Sequence, residues 1–338
     1  MYWILLPSQK LKNEAGVLWS YHNPVRVQFG PGSFDQLDAC IAGRSYGLVT
    51  YPDAFCTALT ERLAARAGPA VVVINDVAAN PDYALLQAQT QQIADGSTPE
   101  VWVALGGGSV IDSAKVFAAA NGDFGNVARF LETGNGAEVL SATPIIAVPT
   151  TAGTGSEVTC WATVWNEAAG KKFSLARPNL YPETALVDPA LMCGKPLALT
   201  VSTGLDALSH SLESLWNVNA NPVSANHAVY ASREVMDVLP ALAADLENLE
   251  LRGRMARAAT FAGLAFSNTK TAIAHSLSYP ITLKHNVPHG IACSFSLPIV
   301  IESVSGVGGL CEDALGRIFE GDMPSAVTKV STLLTSLN

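Results

Sequence analysis

The sequence predicts an α/β N-terminal dinucleotide-binding domain with a parallel sheet, followed by an all-α C-terminal metal-binding domain. Three observations carry the fold. In the first half, short β-branched runs alternate with helix-length segments, the mark of βαβ units. Those runs are continuously apolar, as strands covered on both faces are. Past about residue 189 the β-branched runs thin out and helical spacing takes over. A boundary at 185/186 gives domains 1–185 and 186–338.

Each element has its own signal. Residues 46–50 form a short apolar run, and 54–67 read as a helix stopped by Gly68-Pro69. A strand over 70–74 and a helix over 83–95 follow. Residues 101–105 are an unbroken apolar strand and 110–120 a helix, before a strand over 145–148 that ends at Pro149. In the second half, 203–216, 224–239, 249–266 and 271–278 show helical periodicity.

Composition narrows the class. The 338 residues carry 20 Lys plus Arg against 29 Asp plus Glu, a formal net charge of −9, and 49% are hydrophobic. Disordered chains are charge-rich and apolar-poor, so disorder is excluded. An acidic balance argues against nucleic-acid binding, which needs a basic face. No apolar run reaches the ~18 residues of a membrane helix. Residues 1–8 hold a short apolar patch without a basic start or a small-residue cleavage site, so no signal peptide is expected. The six scattered cysteines fit reduced, mostly buried thiols in a cytoplasmic protein.

Two turns carry candidate binding chemistry. The strand over 101–105 runs into Gly106-Gly107-Gly108-Ser109, then a helix with Asp112 and Lys115. Glycines let backbone approach a ligand, and a helix N-terminus offers N–H groups to an anion. The turn lacks the third glycine of the GxGxxG fingerprint, and taken alone it is equally an ordinary strand-to-helix turn. A second turn holds Thr150, Thr151, Gly153 and Thr154 beyond the next strand. Ligands of open α/β sheets collect at strand carboxyl ends, so the two turns reinforce each other.

Asp206 and His210 stand at i and i+4, on one face of a helix. His275 lies on a later helix, and His289 follows fourteen residues on, in a Pro-His-Gly turn. One carboxylate and three imidazoles would make a four-ligand set suited to Fe²⁺ or Zn²⁺, while any one of the histidines taken singly reads as a surface or core residue with a local partner.

These residues resemble the iron-containing (group III) alcohol dehydrogenases. The likeness rests on Gly106 to Ser109 with Asp112 and Lys115, on residues 150–154, on Thr203-Gly204-Leu205-Asp206-Ala207-Leu208-Ser209-His210, on His275 and on Pro288-His289-Gly290. Phe29-Gly30-Pro31-Gly32 and Asp188-Pro189 extend it over about residues 24–300. The resemblance implies a dehydroquinate synthase-like architecture, with a metal in the cleft between the domains, NADH or NADPH as cofactor, and a homodimer. Asp206, His210, His275 and His289 take the ligand roles. Gly106, Gly107, Gly108, Ser109, Asp112, Thr150, Thr151, Thr154 and Lys172 fall at the nucleotide.

The chain departs from the family at several points. Tyr279 stands where many members have a histidine, Lys270 and Ala272 where many have glycines, and Tyr51 where many have an acid, with Asp53 two residues on. The chain also runs only 49 residues past His289, where the family usually continues further. Residues 268–280 are most similar to a phosphonate-metabolism branch that reduces phosphonoacetaldehyde to 2-hydroxyethylphosphonate. The implied reaction is hydride transfer between nicotinamide and a small aldehyde or alcohol. Tyr279, His285 or a cofactor ribose hydroxyl then carries the proton. Lys270, expected at the N-terminal end of the helix bearing His275, meets an anionic tail. The rivals are a generic alcohol dehydrogenase, a dehydroquinate-synthase-like lyase and a metal-binding protein without turnover.

Overall fold

A computed structural model describes residues 18–94 and 96–337. The reading of residues 1–8 lies outside the described residues, as does Asp95. The chain forms two compact units: Pro24–Thr151 with Ser156–Leu191, and residues 18–23 with Ala152–Gly155 and 192–337.

The first unit is α/β. Its elements run β1 (Arg26–Phe29), α1 (Leu37–Ile41), β2 (Tyr46–Val49), α2 (Ala54–Ala67), β3 (Val72–Ile74), α3 (Tyr83–Ala94), β4 (Val101–Gly106), α4 (Gly108–Ala120), α5 (Phe124–Thr133) and β5 (Ile145–Pro149). They continue with β6 (Trp161–Asn166), β7 (Lys171–Ala176) and β8 (Thr184–Val187). Six strands form one all-parallel sheet in the order β1-β8-β5-β4-β2-β3.

β4 shows why the strands read as unbroken apolar runs. Trp102 and Ala104 pack into one core, Val101, Val103 and Leu105 into another. Successive side chains alternate faces, and both faces are covered. From Val110 to Ala120 only Asp112 of α4 escapes full burial.

Six elements of this unit lay outside the periodicity reading: β1, α1, α5, β6, β7 and β8. β1 and β8 are four-residue strands that pair with each other at one edge. β6 and β7 make a separate antiparallel hairpin, so the unit is not purely parallel. Ala162, Val164 and Leu175 of this hairpin join the core around α4. α5 starts where the Asp123 carboxylate accepts from the Gly125 N–H.

The second unit is all-helical: α6 (Leu197–Glu213), α7 (Pro222–Ala244), α8 (Leu249–Thr269), α9 (Ile273–His285), α10 (His289–Ser294), α11 (Leu297–Val304), α12 (Gly309–Ile318) and α13 (Met323–Ser336). Asn221 opens α7 with a capping box to Ser224. The buried Arg252 on α8 donates to Lys195 O, Leu246 O and Thr200 Oγ1, tying down the start of α6. Ala152 packs against this unit's core, which accounts for the four residues it takes from between β5 and β6. Among the described residues, no helix is long and apolar enough to cross a membrane.

Candidate nucleotide turn and metal centre

In the α/β unit, β2 and β4 are neighbours, yet the chain leaves β2 towards β3 and β4 towards β5. Their carboxyl ends flank the topological switch point, where open α/β sheets bind ligands. Gly106 ends β4 there because a Cβ would lie 2.5 Å from Val110 Cγ2. Gly107 precedes α4, and no side chain caps the helix. The α4 N-terminus is therefore open to an anion. Thr150 N–H donates to Gly106 O, and Thr151 and the Tyr51 hydroxyl lie against Gly107. The Tyr51 hydroxyl also hydrogen-bonds Ser109, while burial pushes its pKa up.

Other residues expected at the nucleotide have protein partners. Asp112 accepts from Ser156 Oγ at 2.6 Å and from Thr163 N–H at 2.8 Å, bracing the turn after β5. Asp53 caps α2 through the Cys56 N–H. Lys172 lies on β7, half-buried. Thr154 stands in the helical unit.

The metal-binding candidates all lie in the helical unit. α6 presents Asp206, His210 and Glu213 at i, i+4 and i+7 of one face. His275 occupies the first turn of α9 and His289 the first position of α10. Gly290 permits this meeting of α10 and α6, since a Cβ there would fall 1.8 Å from Ser202 O. Asp206 Oδ1 then faces His275 Nε2 at 3.4 Å, His210 Nε2 at 3.7 Å and His289 Nε2 at 3.9 Å. Adjacent donors around a tetrahedral ion, with bonds of about 2.1 Å, stand about 3.4 Å apart. Asp206 Oδ1 and His275 Nε2, which face each other, are buried without hydrogen-bond partners. Buried polar atoms are rarely left so, and a divalent cation satisfies converging lone pairs of this kind. The residues fit a metal.

Of the four expected ligands, Asp206, His275 and His289 share one tight group, and its fourth member is Cys293. His210 joins through Asp206 and stacks on Phe266 at 4.1 Å and on His275 at 4.6 Å. Burial holds His210 down to about 4. Burial opposes the charge of Asp206, but the surrounding imidazoles outweigh it and hold the carboxyl well below the usual range.

Two residues of this cluster were not read from the sequence. Glu213 is fully buried, accepts from Ala274 N–H at 2.6 Å, and meets His275 Nδ1 in a very short contact. A carboxylate on Nδ1 leaves Nε2 as the ligand atom, the usual second partner of a metal-bound histidine. Cys293 lies one turn after His289, its Sγ 3.6 Å from His289 Nε2. Helical spacing from the expected ligands was the available signal: Glu213 three residues past His210, Cys293 four past His289.

The proposed proton and substrate residues separate. The Tyr279 ring is parallel to that of His289, with centroids 6.3 Å apart. His285 ends α9 and is exposed. Lys270 does not open α9, contrary to expectation. It closes α8 with φ 72°, its N–H donating to Phe266 O, and α9 starts only at Ile273.

Two family models span nearly the whole described chain: iron-containing alcohol dehydrogenase over residues 24–189 and its C-terminal domain over 200–338. The chain belongs to the iron-containing alcohol dehydrogenase family. It is 36% identical over 198 residues to the NAD-dependent methanol dehydrogenase of Bacillus methanolicus, covering 59% of this chain and 51% of that one. It is 34% identical over 252 residues to the phosphonoacetaldehyde reductase of Streptomyces viridochromogenes, covering 72% and 63%. The chain thus spans less than two thirds of either relative. A crystal structure of sulfoacetaldehyde reductase from Bifidobacterium kashiwanohense in complex with NAD⁺ is similar at a TM-score of 0.88 and 32% identity, covering 96% of this chain and 87% of that one.

Proposed function

We propose that the protein is a metal-dependent, NAD(P)-linked aldehyde reductase whose substrate is a short aldehyde with an anionic tail, phosphonoacetaldehyde above all. The observation that carries the reading is the convergence of buried, unpartnered Asp206 Oδ1 and His275 Nε2 in a chain of this family. Asp206, His210, His275 and His289 would hold Fe²⁺ or Zn²⁺, and the Gly106–Ser109 turn with Thr150 and Thr151 would take the pyrophosphate of NADH or NADPH. When bound, the nicotinamide supplies hydride and the metal Lewis-acid polarisation of the carbonyl oxygen. Aldehyde, NAD(P)H and a proton thereby give alcohol and NAD(P)⁺.

The chain's own residues supply the rest. Glu213 fixes the His275 tautomer. Tyr279 Oη holds the proton for the developing alkoxide, its ring set parallel to His289. The exposed His285 serves this step less well than Tyr279.

The anionic tail is supported from two directions. The phosphonate- and sulfonate-bearing aldehydes named for the two reductases share a two-carbon aldehyde and a tetrahedral anion. In this chain Lys270 keeps φ 72° and ψ 174°, a conformation suited to glycine and costing another residue about 1–3 kcal/mol. A lysine retained at that cost, three residues before α9, is our candidate for the tail. A charge-assisted contact contributes about 1.5–3 kcal/mol. Lys270→Gly should therefore raise KM for phosphonoacetaldehyde about ten- to a hundredfold. It should leave a neutral aldehyde unchanged and the melting temperature equal or higher. Equal effects on both aldehydes would return the protein to a generic alcohol dehydrogenase. The decisive assay is an aldehyde panel with NADH and NADPH after loading with Fe²⁺ or Zn²⁺. Comparable use of the two cofactors is expected, since Tyr51 replaces the acid that would repel a 2′-phosphate. No nicotinamide oxidation with any aldehyde would overturn the reading.

A further inference from the structure

We propose that Cys293 is a ligand of the metal, giving a mixed oxygen, nitrogen and sulfur donor set that prefers Zn²⁺ to Fe²⁺. This rests on the metal centre proposed above and adds a donor to it.

Cys293 is fully buried and forms no disulfide. Its Sγ belongs with Asp206, His275 and His289 to a group whose ligand atoms all lie within 4.8 Å of one another. Its Sγ lies against the His289 ring, 3.6 Å from Nε2 and 3.7 Å from Nδ1, so the thiol and this imidazole stand close enough to share one ion. Two of the thiol's neighbours, Asp206 Oδ1 and His275 Nε2, are the buried atoms left without hydrogen bonds.

Cys311 shows the ordinary alternative in the same unit. It is also buried, but it sits in the apolar core among residues such as Ala314 and Leu315. A cysteine that merely fills space keeps such company. Cys293 faces a carboxylate and two imidazoles.

Local structure fixes the position. One helical turn separates His289 from Cys293, so α10 turns both side chains to the same side. Gly290 seats this short helix on Ser202 O and against Asp206 Cβ. A thiolate is a soft ligand and selects Zn²⁺ over harder divalent ions. Binding converts the thiol to thiolate and releases one proton to solvent.

The test uses the whole chain, stripped by chelator and reloaded with Co²⁺. One cobalt per chain with a sulfur-to-cobalt charge-transfer band in the near ultraviolet is expected. Cys293→Ser should lose the band, keep the cobalt and its visible ligand-field bands, and bind Zn²⁺ over Fe²⁺ with at least tenfold less preference. Stoichiometric cobalt without the band, or a band that survives in Cys293→Ser, would overturn the assignment while leaving the metal centre standing. Failure of the wild-type protein to bind cobalt or zinc would overturn the metal centre itself, and this proposal with it. X-ray absorption of the zinc-loaded wild type needs no variant. A sulfur neighbour at about 2.3 Å supports Cys293, and a shell of nitrogen and oxygen alone refutes it.

Discussion

Both units bury charged side chains, and two of these, Lys115 and Asp206, are treated in opposite ways. Lys115 on α4 is fully buried, and its ammonium donates to Ser156 O, Ser156 Oγ, Thr159 Oγ1 and Trp161 O at 2.7–3.1 Å. Asp112 adds a carboxylate oxygen at 4.0 Å. Every hydrogen of that ammonium has an acceptor within the unit. Asp206 on α6 is almost as buried, yet its Oδ1 faces three imidazole nitrogens and has no hydrogen bond. Saturated groups hold a fold together, whereas convergent lone pairs left open at depth are built for something the chain does not contain. The family motif includes Lys115 beside the glycine turn, and the structure assigns it to bracing residues 156–161.

The sharpest way to break this contrast is to remove each charge and compare. Asp206→Asn should abolish metal binding and turnover, while the metal-free protein melts within a few degrees of wild type. Lys115→Met should do the reverse. It strands buried acceptors and the Asp112 carboxylate, a loss of about 3–5 kcal/mol, and it should leave the metal content of the folded protein at one per chain. Urea unfolding with elemental analysis of both variants decides it. If Lys115→Met sheds the metal, or Asp206→Asn loses as much stability as Lys115→Met, the two clusters do not differ as described.

Glu213 refines the comparison, because it is a buried charge of the saturated kind inside the open cluster. It accepts the Ala274 N–H at the start of α9 and holds His275 Nδ1. Removing such a partner of a ligand histidine typically costs ten- to a hundredfold in metal affinity. Glu213→Gln keeps the shape and one acceptor but loses the charge. We expect zinc affinity to fall by about that factor, read by competition with a chromophoric chelator. We also expect the pH below which zinc dissociates to rise, since a less basic His275 competes worse for the metal. A purely structural role for Glu213 would lower the melting temperature and leave zinc affinity alone.

The same contrast explains what was legible in the sequence. Parallel strands and long helices were readable because burial on two faces or one stripe imposes a period. Gly106–Ser109 does join a strand to a helix, and Asp206, His275 and His289, grouped from their residue types and the resemblance, do come together. β1 and β8 were not readable, since four-residue strands carry too few positions to show a period. The β6–β7 hairpin hid because its residues follow a threonine-rich turn without a break. Lys270 was misplaced because a lysine in a left-handed C-terminal position gives no signal in a string where only glycine does. Glu213 and Cys293 became visible only when α6, α9 and α10 were assembled, since each acts through a residue far away in the chain.

The smallest effect concerns pH and sharpens the account of Lys115. Burial pushes its ammonium down to about 8 from the ordinary value of 10.5, with Asp112, Cys160 and Glu157 opposing the fall. The folded protein therefore gives up this proton before the unfolded chain does. Below pH 8 both states hold it, and the cost of the buried charge is fully present. Between pH 8 and 10.5 the unfolded chain binds more protons, so stability rises with pH. Above 10.5 both states are neutral and the dependence ends. The slope approaches about 1.4 kcal/mol per pH unit in mid-window. Subtracting the unfolding free energy of Lys115→Met removes every other titration that the two proteins share. The difference curve should climb by about 1–2 kcal/mol between pH 8 and 9.5. A flat curve would mean that the four oxygen acceptors hold the ammonium as well as water does. A falling curve would mean that they and Asp112 hold it better. Only the falling curve would make the cluster a stabilising ion site.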